Sequence, residues 1–268
     1  MYMLMRRLRA AVRRSLRELQ LEFVRSRLLR VADGGHVTVG GLSLRVTDGL
    51  NAYMQYKDEL VRRCYAFETS RPDPVVIDGG ANIGMFSLAT LRDHPGARIT
   101  AFEPDPGIGA MLRENLAINN ASQVAIVDAA LGSANGEMSF APDGQAGGAL
   151  VSGDTDMRVR VVPLSQYLKG EVDFLKLNIE GAELDVLREA AASNCLRRVC
   201  AMVIEYHGWA GGEQRLGPLL DLLDGQQYRY LIHDLDAQTN PHTKPPFRDP
   251  GDAPWFALVY AWRIGEFS

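Results

Sequence analysis

The stretch Val75-Val76-Ile77-Asp78-Gly79-Gly80-Ala81-Asn82-Ile83-Gly84-Met85-Phe86-Ser87-Leu88 constrains the fold more than any other. Three β-branched apolar residues lead into an acid, a glycine turn follows, and apolar residues then recur at helical period, which predicts a strand, a tight loop and a helix start. Gly79 and Gly80 permit backbone angles closed to other residues and let a ligand approach main-chain N–H groups at the positive end of the helix. Asp78 would repel a pyrophosphate, and Ala81 stands where G-x-G-x-x-G needs its second glycine. The loop therefore favours a cationic or neutral ligand. S-adenosylmethionine, with an α-ammonium and a sulfonium, is the candidate, and Asp78, Gly79, Gly80, Ala81, Asn82 and Gly84 are its expected contacts.

The alternation continues along the chain. Ala97 to Phe102 reads as a second strand ending in Glu103, 19 residues after Gly84, close to the spacing at which a carboxylate meets ribose hydroxyls. Ile108 to Asn119 is a predicted helix, and Val124 to Leu131 a third strand, with Asp128 and its neighbour Ala129 placed to meet an adenine amino group. Residues 132 to 162 break the pattern. Strands at Glu137–Phe140 and Arg158–Val162 flank a loop with four glycines, read equally as a lid or a connector. The fourth strand and its exit, Val172 to Glu183, place Lys176, Asn178 and Glu180 on one side by period two, a costly arrangement on a buried strand unless the three are partnered. A fifth strand, Val199 to His207, also ends in polar residues, Glu205 and His207 among them. After a helix at Gln214–Leu223, strands at Tyr228–His233 and Trp255–Trp262 close the chain around a segment, Asp234 to Pro254, with five prolines. The fold class that follows is α/β: an open, mostly parallel seven-stranded sheet with helices on both faces, ligands outside the strands' carboxyl ends and an antiparallel C-terminal edge.

Ahead of this core, residues 4 to 30 contain no Pro or Gly and space Leu8, Val12, Leu16, Leu19 and Phe23 by three and four, an amphipathic helical extension. His36 to Val46 reads as a hairpin turning at Gly40-Gly41, and Asp48 to Glu68 as a helical segment able to cap the site. The expected division is residues 1–70 as basic helix, hairpin and cap, and 71–268 as the ligand-binding domain.

Charge narrows the partners. The chain of 268 residues has a net charge of −4, yet residues 1 to 30 hold nine arginines and two glutamates, +7, leaving −4 − 7 = −11 for the rest. An acidic body argues against nucleic acid. The arginine-rich helix suits an anionic lipid surface or an acidic partner, or else docks on the domain with its arginines in solvent. No apolar run approaches the roughly 18 residues needed to span a bilayer. Three cysteines without C-x-x-C spacing predict a reducing cytoplasm and no zinc site. Carboxylates and Asn178 at adjoining strand ends are compatible with a divalent metal, though no spacing specifies one. Oligomeric state is unspecified, a homodimer being compatible with the sequence.

Val76 to Gly84, Phe102-Glu103-Pro104, Ala130-Leu131-Gly132, Phe174 to Glu183 and Ile204 to His207 together resemble the FkbM-type methyltransferase family, over roughly residues 70 to 235. The resemblance implies a class I methyltransferase (Rossmann-like) fold, S-adenosylmethionine as donor, and O-methylation of a hydroxyl on a sugar or secondary metabolite. Asn178 departs from the pattern, which commonly has Asp there. Because an aliphatic hydroxyl is a weak acid, a base must act during transfer, and His207 is the first candidate with Glu180 and Glu205 next. Three rival readings remain: a nicotinamide oxidoreductase, opposed by Asp78; an RNA methyltransferase using the arginine helix, opposed by the acidic body; and a non-catalytic protein that keeps the fold.

Overall fold

The computed structural model describes residues 19–142, 148–151, 155–208, 213–234 and 255–264. Helix α1 occupies residues 19–28 as far as it is described. The hairpin β1 (His36–Val39) and β2 (Leu42–Arg45) turns on Gly40 and Gly41, both with positive φ, the two-residue turn that matches strand twist. Helix α2 (Gly49–Gln55) starts where the Asp48 carboxylate accepts from Asn51 N at 2.8 Å. It runs directly into one wide π-helical turn, Tyr56–Val61. The helical reading of Asp48–Glu68 therefore holds only to Val61. Arg63, at φ 59°, marks the exit from the helix, and from Cys64 onward the chain leads irregularly to the first sheet strand.

The main sheet contains β3 (Val75–Gly79), β4 (Arg98–Phe102), β5 (Val124–Val127), β10 (Val172–Leu177), β11 (Val199–Gly208), β12 (Tyr228–Asp234) and β13 (Trp255–Arg263), in the order β12-β13-β11-β10-β3-β4-β5. Pairings from β5 to β11 are parallel, and β13 inserts antiparallel between β11 and β12. The predicted antiparallel edge is present in this form. From β3 the chain winds outward to β4 and β5, and from β10 it winds the other way to β11, so the strand order reverses between β3 and β10. That reversal opens a crevice at the carboxyl ends of the two strands.

Alternation along the strands builds the two faces. Val76, Phe174, Ala201, Val203 and Leu258 join one apolar cluster with helices α3 (Met85–Asp93) and α4 (Pro106–Ile118). Ile77, Leu175, Leu177, Met202, Ile204 and Val259 join a second with α5 (Glu183–Ala192) and α6 (Leu216–Gly225). With helices on both faces every residue of β10 is buried, so this strand shows no polar alternation of its own. The first cluster also takes in Val24 and Leu28 of α1 and Val37, Val39, Leu44 and Ala52. On α1, Val24 and Leu28 thus dock on the body, whereas Leu19 (67% exposed) and Phe23 (62%) stay on the outer surface. Residues 1–18, with Leu8, Val12 and Leu16 of the sequence stripe, lie outside the described residues.

The third strand expected at Val124–Leu131 is two strands. Its ladder to β4 ends at Val127, and the chain leaves the sheet at Asp128. Ala130–Gly132 (β6) then joins a separate sheet with β7 (Gly136–Pro142), β8 (Gly148–Val151) and β9 (Met157–Pro163), ordered β6-β9-β7-β8. The break lies where the main sheet has no further neighbour, and the side sheet supplies one. The glycine-rich stretch read as a lid or connector, 143–147 with 152–154, and the proline-rich segment 235–254 lie outside the described residues.

Candidate active site

A cleft of about 480 Å³ opens at the carboxyl ends of β3, β4, β10 and β11, under the α2 and π-helical cap and beside the side sheet. Its floor is a sealed ion pair. Lys176 Nζ lies 3.1 Å from Asp78 Oδ1 and donates to the Gly80 carbonyl at 2.6 Å, while Ser87 Oγ donates to Asp78 Oδ2 at 2.7 Å. Asp78 is 0% and Lys176 3% exposed. Burial works against the Lys176 ammonium, but Asp78, helped by Glu59 and Glu205, outweighs it and holds the lysine above its ordinary pKa. The pair is stable because hydrogen bonds satisfy what Coulomb attraction leaves over.

The glycine loop above this floor is held from within. Gly80 and Ala81 donate their N–H groups to the Phe102 carbonyl, Asn82 N donates to Glu103 Oε2, Ile83 N to the Asn82 side chain and Gly84 N to the Ala81 carbonyl. The expectation that a ligand meets free loop amides is therefore corrected. No cradle for a phosphate remains here, in keeping with the acid at the strand end. Gly80 has φ +77°, and a Cβ there would sit 1.8 Å from the Asn178 carbonyl oxygen. The loops after β3 and β10 thus touch through backbone, which only glycine allows.

Along the cleft from this contact, Glu103 receives Asn82 N on Oε2 and Asp105 N on Oε1, both at 2.9 Å. Burial pushes its carboxyl up to about 7 against the lowering effect of those two bonds. A carboxylate offers about four lone-pair sites, so two remain for ligand hydroxyls. Phe102, Pro104, Ala129, Ala130, Leu131 and Phe140 make the apolar wall beyond it.

The opposite end is acidic. His207 Nε2 lies 3.2 Å from Glu180 Oε2 and 3.9 Å from Glu205 Oε1, and Nδ1 lies 3.3 Å from Glu183 Oε1. Burial opposes the charged ring, yet Glu183, Glu180 and Glu205 overcome it and raise its pKa to about 9. At neutral pH the ring is an imidazolium. Glu205 also accepts from the Tyr65 hydroxyl, and burial raises its carboxyl. Glu183 Oε1 accepts from Ile179 N and Gly181 N, both at 3.1 Å, so this acid holds the turn that presents Glu180, itself at φ +57°.

The structure thus brings His207, Glu180, Glu205, Glu103, Asn178, Gly80, Ala81, Asn82 and Ala129 to one cleft. Asp78, Gly79, Gly84 and Asp128 do not line it. Asp78 is consumed by Lys176 and Ser87, Gly79 is packed within β3, and Gly84 begins α3 beneath the loop. Asp128, at the sheet break, turns outward to pair with Arg113 on the surface. Both carboxylates are thus engaged by other side chains of the protein.

Sequence reasoning missed Glu59. It sits on the π-helical turn with Lys57 and Asp58, all three lining the cleft. Glu59 Oε2 and Asn178 Oδ1 are the cleft's buried side-chain oxygens without a hydrogen-bond partner among the described residues. Burial drives the Glu59 carboxyl up to about 8, Lys176 pulling it down and Asp78, Glu205 and Asp58 pushing it further up. Among the described residues no group of three or more His, Cys, Asp or Glu is arranged to hold a metal ion, and no helix is long and apolar enough to cross a membrane.

Comparison with known proteins bears on this arrangement. The profile of the methyltransferase FkbM domain matches residues 78–230. The methyltransferase sdnD of Sordaria araneosa is 30% identical over 186 residues, covering 55% of this chain and 72% of that protein. The 2-O-methyltransferase NoeI of Sinorhizobium fredii is 26% identical over 179 residues, covering 57% of this chain and 72% of that protein. The crystal structure of P. horikoshii TYW2 in complex with MeSAdo shares the fold, with a TM-score of 0.51 at 14% identity over 86% of this chain and 72% of that one.

Proposed function

The chain belongs to the FkbM methyltransferase family, and from that premise we propose that it uses S-adenosylmethionine to methylate a hydroxyl of a sugar or secondary metabolite. The observation that carries this reading is the polarity of the cleft. One end holds a buried carboxylate beside an apolar wall, and the other gathers carboxylates in excess of cations.

The residues fit the methyl donor. Glu103 would accept from its ribose hydroxyls, the wall of Phe102, Ala129, Ala130 and Leu131 would take the adenine, and the unpartnered Asn178 Oδ1 would accept from the α-ammonium. S-adenosylmethionine supplies an electrophilic methyl on a sulfonium and leaves as a neutral thioether. The protein's task is alignment of the acceptor and removal of its proton. His207, already protonated at neutral pH, is poorly placed to take that proton and instead balances Glu180, Glu183 and Glu205. We assign the proton to a carboxylate of the acidic end.

Incubating the purified protein with S-adenosylmethionine and a panel of hydroxylated glycosides and metabolites is expected to yield S-adenosylhomocysteine together with a product heavier by one methylene. Failure to bind S-adenosylhomocysteine in calorimetry, or donor turnover that never depends on any acceptor, would defeat the reading.

A further inference from the structure

We propose that Glu59, on the π-helical turn of the cap, is the general base that receives the acceptor's proton. This rests on the hydroxyl-methylation reading above and deepens it by naming the group.

The other carboxylates of the cleft are already engaged. Both oxygens of Glu103 hold backbone amides, Asp58 holds Arg62 at 2.9 Å, Glu180 faces the His207 ring, and Glu205 is shared between the Tyr65 hydroxyl and that ring. Each of those donors stabilises the anion and weakens it as a base. Glu59 lines the cleft with a half-buried side chain, and its inner oxygen, Oε2, has no hydrogen-bond partner among the described residues.

The charged groups around Glu59 come from every element packed on it. Lys176 approaches from β10, Asp78 from β3 and Glu205 from β11, while Asp58 neighbours it on the cap. Asp93, His94 and Tyr65 share a small crevice on its far side. Lys176 pairs with Asp78, and among the described residues Glu59 has no ion pair of its own. Burial therefore keeps a proton on the carboxyl until about pH 8. A base that takes a proton from a hydroxyl in contact with the transferring methyl must lie within a few ångström of the sulfonium, and that positive charge favours the ionised carboxylate. Glu59 would then shed its proton when the donor is seated and become competent only in its presence. During transfer the acceptor O–H bond breaks toward the Glu59 carboxylate as the new carbon–oxygen bond forms. The electron pair of the carbon–sulfur bond stays on sulfur, and Glu59 later returns the proton to water.

The test does not need the natural acceptor. Binding of S-adenosylmethionine and of S-adenosylhomocysteine is followed by calorimetry near neutral pH in two buffers of different ionisation enthalpy. Wild type should release a fraction of a proton with the sulfonium ligand that it does not release with the thioether, and Glu59→Gln should abolish the difference while thermal melting shows it still folded. With any hydroxyl acceptor that the wild type uses, Glu59→Gln should lower kcat by about 10²- to 10⁴-fold. If Glu59→Gln fails to fold, Glu59→Asp serves. It keeps the acid but withdraws it, so it should retain ligand-linked proton release and lose turnover.

Equal weakening of both ligands in Glu59→Gln, with unchanged proton release, would make Glu59 a partner of the shared α-ammonium and overturn the assignment. Turnover by a folded variant within about tenfold of wild type would overturn it too. A wild type that binds neither ligand would instead remove the methyltransferase reading and this inference with it.

Discussion

The floor and the acidic end of the cleft use the same residue types in opposite ways. On the floor one carboxylate meets one ammonium, and Ser87 and the Gly80 carbonyl take the remaining bonds. At the acidic end three carboxylates converge on one imidazole, and a fourth, Glu59, keeps an oxygen without a hydrogen-bond partner among the described residues. A balanced buried pair is rigid and gains nothing from a ligand. An unbalanced group of carboxylates improves when a cation or a hydrogen-bond donor arrives. The difference separates what supports the site from what acts in it.

The strongest way to break this contrast is on the floor. Lys176→Met strands Asp78 in the interior and should cost about 3–5 kcal/mol in urea unfolding, with Asp78→Asn added to it recovering a substantial part. A loss below about 1 kcal/mol would mean the floor is not a balanced unit.

Next comes the ribose end. Glu103→Ala should weaken S-adenosylhomocysteine binding by about 10²- to 10³-fold in calorimetry, because two hydrogen bonds to a buried charge disappear. Its effect on stability should be smaller than that of Lys176→Met, since Glu103 has no buried counter-ion to strand.

A pH series probes His207. The ring's folded pKa, about 9, lies above its unfolded value of 6.5, so its contribution is fully present below pH 6.5 and is lost as pH rises through about 9. That contribution is about 3 kcal/mol. The raised carboxyls of Glu59 and Glu103 also cost stability as pH rises, but below about 8 and 7. A difference curve between wild type and His207→Gln in denaturation across this range should isolate the ring. A flat difference would leave the imidazolium assignment without support.

The smallest effect tests the outward-turned acid. Asp128→Ala removes an exposed pair with Arg113 and should change stability by no more than about 1 kcal/mol and ligand affinity hardly at all. A large loss of affinity would bring Asp128 back to the cleft.

Much of this was readable from residue order. Acids closing strands of β-branched residues placed Glu103, Glu180 and Glu205 in one cleft, because parallel strands deliver their carboxyl ends to the same edge. At Asp128 the same rule meets a break, because the chain leaves the sheet one residue after Val127 and the carboxylate pairs with Arg113 on the surface. Period two grouped Lys176, Asn178 and Glu180, but β10 ends at Leu177 and a left-handed residue brings Glu180 to the cleft. The grouping was right through a turn that Glu183 holds, not through strand geometry. Asp78 was read as a ligand contact because its nearest cation, Lys176, is 98 residues away in sequence. Glu59 left no pattern at all, since its place depends on a π turn that periodicity at 3.6 residues cannot reveal.

That turn makes the cap sensitive to length in a way that the sheet is not. Deleting one residue between Gln55 and Val61 would let the wide turn close to an ordinary helical one and change which of its side chains meet the cleft. A change of composition at these positions can be absorbed by packing, whereas a change of count re-aims Lys57, Asp58 and Glu59 together. The number of residues in the cap is therefore as much a determinant of the chemistry as their identity, and relatives that differ by one residue here should differ in reactivity even with every strand-end acid retained.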